Sequence, residues 1–138
     1  MSNPYGQQPL PGPGPHGLTP DEVTWGGAAH WSALVSAFVA MAFLGPLLVL
    51  LVKGNESRYV RAQAAESLNF QISMLIYGAV GAVVGVILAI VTFGIGLLLV
   101  IPLALAFGCY WLVFTILGSV KSVNGEVYRY PLTIRMVS

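Results

Sequence analysis

The sequence predicts an all-α membrane protein with three transmembrane helices and a short extended C-terminal segment. The second and third helices are expected to form an antiparallel hairpin. Three observations carry this. The chain is 57% hydrophobic and only 8% charged, where a soluble domain would carry roughly 25% charged residues. Long apolar runs occupy most of the stretch from Ala28 to Val120. The last residues, NGEVYRYPLTIRMVS, alternate with a period of two instead.

Residues 1–24 read as a Pro/Gly-rich tail. Prolines and glycines crowd among Gln, Asn and Ser with no Lys or Arg, so the stretch cannot bury a core. It has neither the basic nor the apolar region of a signal peptide. The helical membrane domain is expected over residues 25–123, with spans at about 28–52, 68–91 and 97–120. Each exceeds the roughly 20 residues needed to cross hydrocarbon. Trp25 and Trp31 mark the interface of the first span, and Gly45-Pro46 predicts a kink within it.

The polar connection KGNESRYVRAQAA (53–65) leads into the second helix, with Asn55 or Ser57 able to cap its start. The linker TFGIG (92–96) is short enough to force the third span back beside the second. Pro102 should kink that third span.

Charge gives an orientation. Lys53, Arg58 and Arg61 lie in the first polar loop, and Lys121, Arg129 and Arg135 follow the third span. With three spans, all six cations share one face, which the positive-inside rule assigns to the cytoplasm. This places a multi-pass protein in the plasma membrane with its C-terminus cytoplasmic and its N-terminal tail outside.

The second helix carries a polar stripe. Glu66, Asn69, Ser73 and Tyr77 fall within about 80° of one another around the axis, and Gln71 lies nearby. Such groups are costly against lipid, so the stripe should face protein or a wet cavity. In the expected hairpin Asn69 lies level with Ser119, Ser73 with Thr115 and Tyr77 with Trp111. On the third helix Trp111, Thr115, Gly118 and Ser122 share a face, so the two polar faces can meet.

A neighbouring face of the second helix is small: Gly78, Gly81, Ala82 and Gly85, with Ala89 beyond. Small residues let helix backbones approach closely in lipid. This face is expected to pack within the chain, against the series Ala29, Ala33, Ala37 and Ala40 of the first helix, or else to dimerise.

No catalytic set is present. HExxH, GxSxG, CxxC and paired carboxylates are all missing from the sequence. An enzyme is not expected, and no cofactor or metal is called for. Net charge is +1 with no basic patch, which argues against nucleic acid. Cys109, alone in an apolar run, reads as a packing residue. His30 reads as an interfacial polar group at the face opposite Glu66. Glu66 is expected to neutralise an arginine or cap the bundle, with proton or ion binding as the alternative.

ESRYVRAQAAESLNFQISMLIY, followed downstream by NGEVYRYPLTIRMV and preceded by AAHWSAL, resembles a family of small uncharacterised bacterial membrane proteins. That family is grouped with the Tic-twenty-like components of the chloroplast import apparatus. The resemblance covers about residues 25–137. It implies a multi-pass helical protein of the bacterial plasma membrane, and no known activity.

The C-terminal segment, residues 124–138, opens on Asn124-Gly125, a good helix-ending pair. Alternation puts Tyr128, Tyr130, Leu132, Ile134 and Met136 on one side and Arg129, Thr133 and Arg135 on the other. Pro131 rules out a central strand. The segment either lies along the cytoplasmic interface with its arginines toward headgroups or packs back on the helix mouth. The second is favoured, bringing Arg129 or Arg135 near Glu66. The functional expectation is a non-catalytic interaction or assembly module in the lipid bilayer, pairing with itself or with a membrane-protein partner. The alternative is a subunit of an oligomeric transporter or channel using the polar stripe.

Overall fold

A computed structural model of the chain describes residues 17–37 and 41–138. Four helices make up the described fold: α1 (Pro20–Ala37), α2 (Leu44–Lys53), α3 (Arg58–Val91) and α4 (Leu97–Val123). No strand occurs among the described residues. Two helices, α3 and α4, are long and apolar enough to cross a membrane.

The first expected span is therefore revised. Residues 28–52 do not form one kinked helix; α1 ends at Ala37 and a separate α2 starts at Leu44. Pro46 stands in the first turn of α2, where a missing N–H breaks no intrahelical bond. The two helices run back along each other. Gly45 sits against Ser32 so closely that a Cβ there would lie 2.6 Å from the Ser32 carbonyl. Farther along, Lys53 Nζ lies 5.5 Å from the Trp25 ring centre. At the end of the pair the Ser57 hydroxyl donates to Glu22 Oε1 at 2.6 Å.

That reversal overturns two expectations. The start of α1 lies at the same end of the molecule as the start of α3, not at the opposite end. It also carries His30 back beside the first turns of α3, so His30 and Glu66 are not at opposite faces.

Helix α1 begins earlier than composition suggests, inside the stretch assigned to the tail. Thr19 and Glu22 form a capping box: the Thr19 amide donates to Glu22 Oε2 at 2.9 Å and the Glu22 amide to Thr19 Oγ1 at 3.2 Å. The Ser57 hydroxyl and the Thr19 amide hold the Glu22 carboxyl below its usual range. The expected tail over residues 1–16 lies outside the described residues.

Helix α3 is one continuous element of 34 residues, about 51 Å long. Ser57 caps it, accepting from the Val60 amide. The reversal into α4 uses left-handed backbone at Phe93 (φ 51) and Gly94 (φ 89). Pro102 lies inside α4 without ending it. Helix α4 ends in a Schellman pattern: the Gly125 amide donates to Ser122 O at 3.0 Å and the Glu126 amide to Lys121 O at 3.1 Å.

Burial divides the molecule in two. Nearly all buried residues of α3 lie between Tyr59 and Met74, and those of α4 are Thr115, Gly118 and Ser122. This base is where α1 packs against α2, α3 and α4. Beyond it, α3 and α4 continue as a bare apolar hairpin ending at Phe93, which is 98% exposed.

Candidate functional site

The polar stripe of α3 and the C-terminal segment come together in the base. The segment is not a strand. It climbs along α3, reverses at Pro131-Leu132 and descends to Ser138. Leu132 takes a left-handed φ of 55°, a conformation that costs a non-glycine residue roughly 1 kcal/mol or more. The reversal breaks the expected alternation: Tyr130 is 2% exposed while Leu132 is 75% exposed.

Side chains of α3 take the place of the neighbouring strand that this segment lacks. The Tyr77 hydroxyl donates to Leu132 O at 3.0 Å. Ser73 Oγ accepts from the Ile134 amide at 2.9 Å. Asn69 holds two residues at once: Oδ1 accepts from the amides of Met136 (2.9 Å) and Val137 (2.8 Å), while Nδ2 donates to Val137 O at 2.7 Å. Glu66 Oε1 accepts from the Tyr130 amide at 2.9 Å. The Arg135 guanidinium meets both Glu66 oxygens, at 3.0 and 3.3 Å. From α4, the Tyr110 hydroxyl donates to Pro131 O at 3.0 Å. An unpaired backbone group away from water costs about 1–3 kcal/mol, so this stripe is what lets an irregular strap lie against an apolar hairpin.

Behind the strap lies a buried chain of polar groups. Gln63 Nε2 donates to Glu126 O at 2.6 Å, which turns its Oε1 toward His30 Nε2 at 2.8 Å. His30 therefore carries its hydrogen on Nε2, and Nδ1 accepts from the Tyr130 hydroxyl at 2.7 Å. Both histidine nitrogens are used in a fully buried position, which revises the interfacial reading of His30. Tyr130 also stacks on Phe70, with ring centres 4.1 Å apart and planes 12° from parallel. Gly118 makes this fit: a Cβ there would overlap the Tyr130 hydroxyl and come within 2.8 Å of His30 Nδ1.

The expected cross-hairpin pairs are rearranged. Asn69, Ser73 and Tyr77 turn to the strap. Gln71 bridges to α4 instead, its Oε1 accepting from Trp111 Nε1 at 2.6 Å and its Nε2 donating to Thr115 Oγ1 at 3.5 Å. Of the two candidate arginines it is Arg135 that reaches Glu66, while Arg129 stays exposed at the surface. The small face of α3 does not meet α1. Gly78 faces Phe107 and Gly85 faces Val100 of α4, while a side chain at Gly81 would enter open space. A cleft of about 410 Å³ runs between the two helices there, lined by Gly78, Gly81, Ala82, Gly85, Val100 and Phe107.

Sequence reasoning missed His30, Gln63 and Tyr130 as partners. One signal was present: Gln63 stands three residues before Glu66 and extends the same stripe by a turn. The small run Gly26–Ala29 before His30 marked a close helix contact rather than an interface. A Cβ on Gly27, for instance, would lie 2.7 Å from Val123 Cγ1.

Among the described residues no three His, Cys, Asp or Glu side chains gather as a metal site would require. The arrangement binds its own chain: every polar group of the stripe has a partner in the strap, in α4 or in α1. Comparison with curated proteins finds no match, and comparison with solved structures finds none. Residues 21–137 match the magnetosome magnetite crystal formation protein family, a small bacterial family. The match supports a bacterial membrane family of this kind and does not support the grouping with Tic-twenty-like components. The matched region takes in all four helices and the strap, and the chain belongs to the magnetosome magnetite crystal formation protein family.

Proposed function

We propose that this chain is a non-catalytic, multi-pass membrane module that acts by assembling with itself or with a membrane-protein partner. Its process would be the one its family is named for, magnetosome crystal formation. The observation that carries the non-catalytic reading is the use made of Glu66, Asn69, Ser73 and Tyr77. All four are engaged in holding residues 130–137. A channel or transport pathway would need those same groups free, so the assembly reading is preferred.

The hairpin of α3 and α4 crosses the bilayer in this reading, with the base at the cytoplasmic side. All six Lys and Arg side chains lie in or beside the base, in keeping with the positive-inside rule. The pairing of Glu22 with Ser57 then puts the start of α1 on the cytoplasmic side as well. The bilayer in this reading is the plasma membrane.

Cys109 is the chain's single cysteine and is exposed on the bare part of α4. A bismaleimide added to native membranes should yield a crosslinked dimer or a heteromeric product through it. Recovery of monomer alone, with a Cys109→Ser control, would remove the support for assembly. Deletion of the gene in a magnetite-forming host should change crystal size or number; unchanged crystals would separate this chain from its family's process.

A further inference from the structure

The molecule is much wider at one end than at the other. We propose that it is an asymmetric membrane wedge, which concentrates in and stabilises curved bilayers with the base leaflet on the convex side. The inference rests on the membrane placement given above.

The dimensions come from the burial pattern. Helix α3 is 34 residues long, or about 51 Å. A bilayer with its headgroups is about 40–45 Å thick, so α3 fits with a tilt. Burial along α3 stops at Met74 apart from Gly85, which is the middle of the helix. One half, Arg58–Met74, is therefore surrounded by other parts of the chain, and the other half, Leu75–Val91, is not.

Each half falls in its own leaflet. The base leaflet holds α1, α2, half of α3, the last turns of α4 and the strap. The opposite leaflet holds the remainders of α3 and α4 alone. Neither α1 nor α2 crosses: they return to their starting end, as the contacts of Ser32 with Gly45 and of Glu22 with Ser57 require. The strap likewise turns back at Leu132, level with Tyr77 near the middle of α3.

The parts of the base that face outward are apolar, as an element embedded in a leaflet must be. Leu48, Leu51 and Val52 of α2 and Trp31 and Val35 of α1 are exposed. These outward faces are not suited to water, and lipid covers them without any partner. The distal hairpin, from Gly78 to Phe107, is apolar all round apart from Thr92 at its turn and carries no charge.

The area difference follows from helix width. A helix about 10 Å across covers about 80 Å². Two additional helices then make the base leaflet wider by about 160 Å² per copy, before the strap is counted. A bilayer absorbs such an excess by bending toward the narrow side, which leaves the base leaflet on the convex face. The internal bonding makes the wedge stiff: strap, α1 and α3 are tied through Tyr130, His30, Gln63 and Glu66, so the base cannot flatten without leaving buried polar groups unpaired.

The test is reconstitution of the full chain into phosphatidylcholine–phosphatidylglycerol vesicles, extruded as large and as small populations from one lipid stock. The expected result is a several-fold higher protein-to-lipid ratio in the small vesicles, with the base facing outward. Orientation is read by protease access to the Lys53–Arg61 loop, and by labelling a cysteine placed in the Thr92–Gly96 turn of a Cys109→Ser chain. Equal density in both populations overturns the wedge. Pairing of copies through their hairpins leaves each copy's excess area in the base leaflet, so the size preference is expected for monomer and dimer alike. The labelling separates the two readings. Loop and turn on opposite sides with no size preference leaves the membrane placement standing and removes the wedge. Loop and turn on the same side removes the placement itself.

Discussion

The two halves of α3 obey different rules. From Arg58 to Met74 nearly every position is constrained by a neighbour, and the stripe Glu66, Asn69, Gln71 and Ser73 is tolerated because each member has a partner. From Leu75 to Val91 the helix touches little but α4, and side chains are exposed without penalty because lipid is as apolar as they are. The lesson is that a membrane helix can be specified by hydrogen bonds at one end and by hydrophobicity alone at the other. Substitutions should therefore have unequal effects along one continuous element.

The sharpest contrast is between two glycines. Gly118→Leu places a side chain where the Tyr130 hydroxyl and the His30 ring already sit, so it should cost about 3 kcal/mol or more and expel the strap. Gly81→Leu enters open space and should change stability by about 0.5 kcal/mol or less. Thermal unfolding in mild detergent measures both. Comparable losses would erase the distinction between base and hairpin.

Next in size is Tyr130→Ala. It removes the stack on Phe70 and leaves His30 Nδ1 unpaired, for an expected loss of about 3–5 kcal/mol. Tyr130→Phe keeps the stack and should lose only about 1–3 kcal/mol. If the two variants unfold together, the ring contact contributes nothing and the hydroxyl everything.

Asn69→Leu strands the amides of Met136 and Val137, at a cost of about 1–3 kcal/mol. Hydrogen exchange should accelerate across residues 134–138 and stay unchanged in Leu75–Val91. Fraying that spreads into the distal half would show the two regions to be one cooperative unit.

The smallest effect belongs to the ion pair. The Arg135 side chain is 47% exposed and that of Glu66 10%. A double-mutant cycle with Glu66→Gln and Arg135→Gln should return a coupling of about 1 kcal/mol or less. A much larger coupling would mean that the pair, rather than the backbone contacts, holds the strap.

How far the sequence revealed this arrangement depends on the kind of signal. The α3–α4 hairpin was plain, because apolar length and a five-residue linker (Thr92–Gly96) need no tertiary knowledge. The stripe Glu66, Asn69, Ser73 and Tyr77 was visible by helical spacing. Its partner was legible for Glu66 and mistaken for the rest. An amide or hydroxyl on a helix pairs equally well with a facing helix or with a loop backbone, and spacing cannot separate the two. The reversal between α1 and α2 was judged less favourable than a kinked span, because a predominantly apolar stretch of 25 residues (28–52) satisfies the length test for a span whether or not it folds back. The capping box at Thr19 and Glu22 was available in TPDE but was lost in the proline-rich stretch around it.

The strap has a consequence for the order of synthesis. Glu66 leaves the ribosome 64 residues before Tyr130 and 69 before Arg135. At about 5–20 residues per second, that interval is roughly 3–14 s. Throughout it, the first half of α3 carries a carboxylate, an amide and a hydroxyl whose partners have not yet been made. Those groups must be met by water or by the insertion machinery until the last residues arrive. The distal hairpin needs no such help and can settle into lipid at once. Assembly thus proceeds hairpin first, and the base closes only once the strap has been made.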